Sequence, residues 1–218
     1  MTLKEKIEIP KYTLGEEIMS AVTHGVGALL SIAALTLCVI FSAINGSCLS
    51  IVSSAIYGSS LIILYTMSTL YHSLKVNNAK RVFRIIDHCS IYLLIAGTYT
   101  PYTLLVLPRN YGIPLFLIIW GIAILGIVLN SIDLKKYKVI SLISYLVLGW
   151  AVIFTIKPLM ENLALGGLIF LLLGGISYTL GAIFYGFGKK VKYMHSIFHI
   201  FVLIGSILQF FSILFFVI

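Results

Sequence analysis

Apolar stretches of about 18 residues or more recur along the whole chain, parted by short segments rich in turn residues, lysine and arginine. Each stretch is long enough to cross a bilayer as an α-helix. Lipid offers no partner to a free backbone N–H or C=O, so only helices and closed barrels can span it. A barrel strand would alternate apolar and polar side chains, and these stretches do not alternate. Composition agrees: with 60% hydrophobic and 10% charged residues, the chain has too little polar surface for a water-soluble domain.

The breaks NGSC, LKVNNAKR, LPRNYG, DLKKYK, KPLMEN and GKKVK divide the chain into seven predicted helices. They run about 17–42, 50–74, 84–107, 112–132, 138–156, 164–187 and 192–217. The expected fold is an all-α integral membrane bundle, with residues 1–218 forming a single domain. Pro101 falls inside the third helix and is expected to kink it, which neighbouring groups in a membrane bundle can tolerate. Gly174, Ser177 and Gly181 share one face of the sixth helix and suit close helix packing. Charged residues between 4 and 17 lead into a segment longer than a signal-peptide core that runs on into a second span, so no cleavable signal is expected. The cysteines Cys38, Cys48 and Cys89 form no disulfide framework, and the two in apolar runs read as small buried hydrophobes.

A formal charge of +8 raises the question of nucleic acid. The cations sit instead in short loops between apolar spans, which fits membrane orientation and predicts no nucleic-acid partner. Lys4, Lys6, Lys11, Lys75, Lys80, Arg81, Arg84, Lys135, Lys136, Lys138, Lys189, Lys190 and Lys192 fall on one side, against Arg109 and Lys157 on the other. The positive-inside rule then predicts a cytoplasmic N-terminus and an outside C-terminus, the reverse of a G-protein-coupled receptor.

On that topology all five histidines, His24, His72, His88, His195 and His199, fall in the cytoplasmic half. His72 lies three residues before Lys75, Asp87 three after Arg84, and His195 three after Lys192. At ~1.5 Å rise per residue each sits roughly 4–5 Å below a basic residue, so separate helices deliver imidazole or carboxylate to one level. Ionisable groups that share a depth inside a membrane point to a functional site.

The chemistry that fits is a metal site. His195 and His199, at i and i+4, share a helix face, and His72 from another helix completes three imidazoles with a fourth position open for water. Imidazole suits Zn²⁺, and zinc can lower the pKa of bound water to about 7. Asp87 would then hold and deprotonate that water or orient a histidine, and Ser68, one turn before His72, would face the same way. Taken singly, each residue has a plainer explanation. An interfacial histidine snorkels, H-x3-H occurs in helices without metal, Asp87 could pair with Arg84, and Ser68 could bond its own helix's carbonyl. Their common depth is what favours the metal. Asp87 and His88 are adjacent, about 100° apart around a helix, so they cannot both aim at one ion. His88 is expected to face a neighbouring helix. His24 and Glu17, seven residues apart on one face, are expected to support the site rather than ligate.

E-x6-H-G-x-G (Glu17 to Gly27), S-x3-H (Ser68, His72), D-H (Asp87, His88) followed by IYLLIAGTYTPY, and H-x3-H (His195, His199) together resemble the hemolysin III family. That family is grouped with the progestin and adiponectin receptors and, more distantly, the alkaline ceramidases among seven-span metal-dependent hydrolases. The resemblance implies zinc held by His72, His195 and His199, Asp87 contacting its water, Ser68 nearby, and a cytoplasmic N-terminus. The few residues ahead of the first span differ from the long N-terminal domain of the animal receptors, so receptor function is not expected. The compactness resembles the bacterial branch, implying a multi-pass protein of the plasma membrane.

Three functions follow as expectations. One is a zinc-dependent hydrolase of a membrane-lipid amide or ester. Another is a sensor of membrane state, or homeostasis protein, in which zinc is structural. The third, carried by the family name, is a pore-forming cytolysin.

Overall fold

The first helix is built inside out relative to a water-soluble protein. Its buried residues are Glu16, Ser20, His24, Gly27, Ser31, Ala34, Cys38 and Ser42, spaced by three or four, while Val22, Leu29 and Ile44 face outward. Small and polar side chains therefore form the stripe that meets other helices, as in bundles whose surroundings are themselves apolar. The computed structural model describes residues 7–188 and 191–218. Lys4, Lys6, Lys189 and Lys190 of the orientation argument lie outside the described residues.

Seven helices are long and apolar enough to cross a membrane, as expected: α1 Leu14–Asn45, α2 Cys48–Ser73, α3 Asn78–Val106, α4 Arg109–Ile132, α5 Lys138–Asn162, α6 Leu165–Phe187 and α7 Met194–Phe216. No strand occurs among the described residues. Several ends differ from the sequence-based ones, each for a local reason. A reciprocal capping box between Thr13 and Glu16 starts α1 at Leu14, so Glu16 and Glu17 belong to its first turn. Asn77 caps α3 through the Lys80 N–H at 2.8 Å, so Lys80 and Arg81 are helical rather than part of a loop. KPLMEN is helix as well. After Gly149, α5 tightens into a 3₁₀ turn at Ala151–Thr155 and resumes as α-helix over Ile156–Asn162. Pro158 lies in the first turn of that last piece, where a missing N–H leaves no intrahelical bond unmade.

Pro101 changes the hydrogen-bond register of α3. The chain is α-helical through Pro101 and π-helical over Tyr102–Val106, closed by the Leu107 N–H on the Tyr102 carbonyl at 3.0 Å. The last helix begins at Met194 because Tyr193 adopts a left-handed conformation (φ 64). Glu16 steadies that unfavourable turn: its Oε1 accepts the Tyr193 N–H at 2.7 Å while its Oε2 caps Thr13.

Helix α2 packs between α1 and α3, and α7 packs along α6 and against α1. Polar bonds pin these contacts. Ser196 donates to the Glu16 carbonyl at 3.1 Å, and Tyr65 of α2 donates to Ser206 of α7 at 2.7 Å. Ser177, in the expected small-residue stripe of α6, donates to the Phe201 carbonyl of α7 at 2.8 Å. No extended packing joins α5 to α6; Trp150 crosses the gap, its Nε1 donating to Thr179 Oγ1 at 3.0 Å.

Candidate metal centre

The buried face of α2 carries Leu61, Tyr65, Ser68 and His72 at helical spacing, so its last turn delivers His72 inward. On α7 the same logic aims His195 and His199 inward from the first two turns. All three rings are buried, at 3%, 7% and 2% exposure. Their Nε2 atoms converge: His195 to His72 is 3.4 Å and His199 to His195 is 3.2 Å, and the donor atoms of all three lie within 4.8 Å of one another.

A tetrahedral ion bound at about 2.0–2.1 Å separates its donor nitrogens by about 3.3 Å, close to the two short distances here. Hydrogen bonding among the rings accounts for the cluster less well. His72 Nδ1 meets the Glu17 carboxylate at 2.7 Å, so its ring proton is on that side and Nε2 presents a lone pair to the centre. His195 Nε2 faces two other ring nitrogens and carries at most one hydrogen to satisfy them. Three buried imidazoles that can bind a metal ion are thus brought together.

Around them lies a second layer of side chains. Glu17 does not pair with His24; it is shared between His72 and Lys80 Nζ, the latter also at 2.7 Å. His24 instead lies against His199, ring centroids 3.8 Å apart, and meets Tyr65 edge-on at 4.9 Å. Both His24 nitrogens lack a hydrogen-bond partner. Gly27, which ends the H-G-x-G signature, has no room for a Cβ: one built there would come 2.5 Å from the Tyr65 ring. The Ser20 carbonyl faces the His199 ring, short of a formed hydrogen bond.

Asp87 and Ser68 stand beside the trio without joining its ligand set. The Ser68 hydroxyl is within reach of the Asp87 carboxylate, and both line the same cavity as His195 and His199. His88, next to Asp87, bonds the Arg84 carbonyl through Nδ1 at 2.9 Å, and its own carbonyl accepts from Tyr145 of α5 at 2.8 Å. Its Nδ1 is 3.7 Å from Asp87 Oδ2. The cavity measures about 530 Å³ and runs from the histidines through an apolar interior to Leu159 and Met160, with Ile153, Leu172 and Ile169 along the gap between α5 and α6.

Three participants escaped the sequence. Lys80, counted as a loop cation, is 2% exposed and sits beneath Glu17, its Nζ also donating to the Leu74 carbonyl at 2.9 Å. Arg84, likewise counted as interfacial, is 8% exposed. Tyr12, ahead of α1, stacks on His195 with centroids 4.6 Å apart and planes 11° from parallel. An acid in an apolar helix signals a buried cation partner, which could have pointed to Lys80; nothing local marks Tyr12.

Comparison with known proteins gives matches over nearly the whole chain. A family model described as "Haemolysin-III related" matches residues 12–210. A hemolysin-3 homolog of Bacillus subtilis is 46% identical over 205 residues, covering 94% of this chain and 96% of the relative. Hemolysin-3 of Bacillus cereus is 43% identical over 215 residues, covering 99% and 98%. The human monocyte to macrophage differentiation factor is 28% identical over 214 residues, covering 93% and 85%. Seven apolar helices, a buried histidine trio and a match spanning nearly the whole chain agree: this protein belongs to the hemolysin III family.

Proposed function

We propose that the protein is a zinc-dependent hydrolase of a membrane-lipid amide or ester, with its site near the cytoplasmic leaflet of the plasma membrane. The observation that carries this is a buried trio of convergent imidazoles of which two, His195 and His199, line a largely apolar 530 Å³ cavity together with the Asp87 carboxylate and the Ser68 hydroxyl. A structural site needs no such chamber, whereas an acyl chain does. Zinc held by His72, His195 and His199 would polarise the scissile carbonyl and lower the pKa of water at its open position. Glu17 keeps the His72 proton on Nδ1 and so keeps Nε2 available. Asp87 would accept the proton of the attacking water and return it to the departing amine or alkoxide. Ser68 would orient that carboxylate, and the apolar walls would hold the chain and exclude bulk water.

The test is acyl release from lipid by the purified protein, with and without chelator. Metal-dependent turnover that disappears in Asp87→Ala, with metal content unchanged, is expected. Stoichiometric metal with no turnover across a broad lipid panel would refute the proposal and favour the second reading, a sensor or homeostasis protein with structural zinc. That reading draws on the linkage of α1, α2 and α3 through Glu17, His72 and Lys80, which ties the ligand set to helix positions.

A further inference from the structure

Each ring of the histidine trio meets a different support. A ligand imidazole is ordinarily oriented through the nitrogen that does not face the ion. His72 follows that rule, its Nδ1 meeting Glu17 at 2.7 Å. His195 and His199 do not: each Nδ1 is buried without a partner among the described residues. The ring torsion of a histidine is broad, so packing must hold these two rings in place. His24 lies against His199, with centroids 3.8 Å apart.

For His195 the support is Tyr12, whose ring lies 4.6 Å away with its plane 11° from parallel. Tyr185 and Phe198 also neighbour His195, but at 5.9 and 5.6 Å and tilted by 53° and 37°. A flat ring against one face resists rotation of the imidazole, because turning drives the imidazole edge into the phenol. The stack also strengthens when an ion is bound. A cation on Nε2 draws electron density from the imidazole, and an electron-poor ring is attracted to the negative face of a phenol.

The stack is not left to hold itself. Glu16 Oε2 accepts the N–H of Thr13, the residue after Tyr12, at 2.8 Å, and its Oε1 accepts that of Tyr193, two residues before His195, at 2.7 Å. One carboxylate thus clamps the chain beside Tyr12 to the start of α7. Residues 7–13 form no helix, and Ile7, at the far end of this strap, is 2% exposed. The strap's place depends on these contacts.

We propose that Tyr12 is a positioning residue of the metal centre, holding the His195 ring in its ligating orientation from a strap outside the seven helices. Tyr12, Glu17 and His24 then support one histidine each, all from a single stretch of chain at the head of α1. The inference rests on the trio holding a metal ion; it does not need hydrolysis.

Metal binding tests it. Full-length protein in neutral detergent is loaded with Zn²⁺, and affinity, uptake and release are followed with a chromogenic chelator. Co²⁺ in place of Zn²⁺ reports the ligand geometry through its visible absorption. Tyr12→Leu still fills the place with apolar atoms, yet it is expected to weaken zinc about tenfold, mainly through faster release, and to alter the Co²⁺ spectrum. Tyr12→Phe keeps the stacked ring and should stay within about twofold of the unsubstituted protein, with its spectrum. Unaltered affinity and spectrum in Tyr12→Leu would reduce Tyr12 to packing and overturn the proposal, even with a lower unfolding temperature. Tyr12→Phe binding as weakly as Tyr12→Leu would assign the effect to the hydroxyl and overturn it too. Uptake and release quickened equally, at constant affinity, would make the strap a lid instead. A protein that takes up no metal would remove this inference together with the zinc hydrolase. The expected Tyr12 effects in a protein that releases no acyl chain would refute the hydrolase alone.

Discussion

Glu17 of α1 stands between His72 of α2 and Lys80 of α3, 2.7 Å from each. One carboxylate thus fixes a ring tautomer and neutralises a buried ammonium, and it couples the orientation of a candidate metal ligand to the packing of three helices. Partners of this kind commonly matter to metal affinity nearly as much as the ligands themselves.

Glu17→Gln is therefore expected to weaken zinc binding by about 10–100-fold while leaving one ion per chain at saturation. Competition with a chromogenic chelator measures it. An unchanged affinity would mean that the Glu17–His72 contact does not tune the site.

Lys80→Met leaves the Glu17 carboxylate half-buried with one partner fewer. Breaking such a pair from one side costs about 3 kcal/mol, whereas replacing both members costs much less. The double variant Glu17→Gln, Lys80→Met should thus be more stable than Lys80→Met alone in detergent unfolding. Strict additivity of the two substitutions would show that the pair is not energetically coupled.

Metal removal should act through the histidine trio. An ion bound only by the folded chain adds stability in proportion to the logarithm of its concentration over Kd. Chelator should lower the unfolding temperature of the unsubstituted protein and leave those of His72→Ala, His195→Ala and His199→Ala unchanged, with elemental analysis finding no bound metal in the three variants. A full complement of metal in any one of them would remove that residue from the ligand set.

His24 discriminates support from ligation. Its ring packs on His199 and its nitrogens bond to nothing, so a phenyl group can take its place. His24→Phe should keep stoichiometric metal and lose less than about 1.5 kcal/mol of stability. His24→Ala should cost about 2–4 kcal/mol through the void it leaves. Loss of metal in His24→Phe would make His24 a ligand after all.

Filling the cavity away from the histidines separates lipid access from metal binding. Leu94 lines the apolar part of the chamber. Leu94→Trp is expected to reduce acyl release by at least about tenfold with metal content intact. Undiminished turnover would place the acyl chain elsewhere.

The number of spans and the histidine trio were legible in the linear chain, because both follow from one-dimensional rules. Hydropathy marks whatever must be solvated by lipid, and three or four residues of spacing put His195 with His199, and Ser68 with His72, on shared faces. Helix ends were less legible where a cap outweighed charge: Thr13 with Glu16, and Asn77 with Lys80, drew α1 and α3 into what looked like loops. What surrounds the trio belongs to tertiary structure alone. Helical spacing offered Glu17 only His24, yet it pairs with His72, 55 residues away, because α1 and α2 lie side by side there. Lys80 and Arg84 have the composition of membrane-surface cations, and only the seating of α3 against its neighbours buries them. Hydropathy assigns a residue to a medium; which neighbour it meets there depends on how the helices are seated against one another.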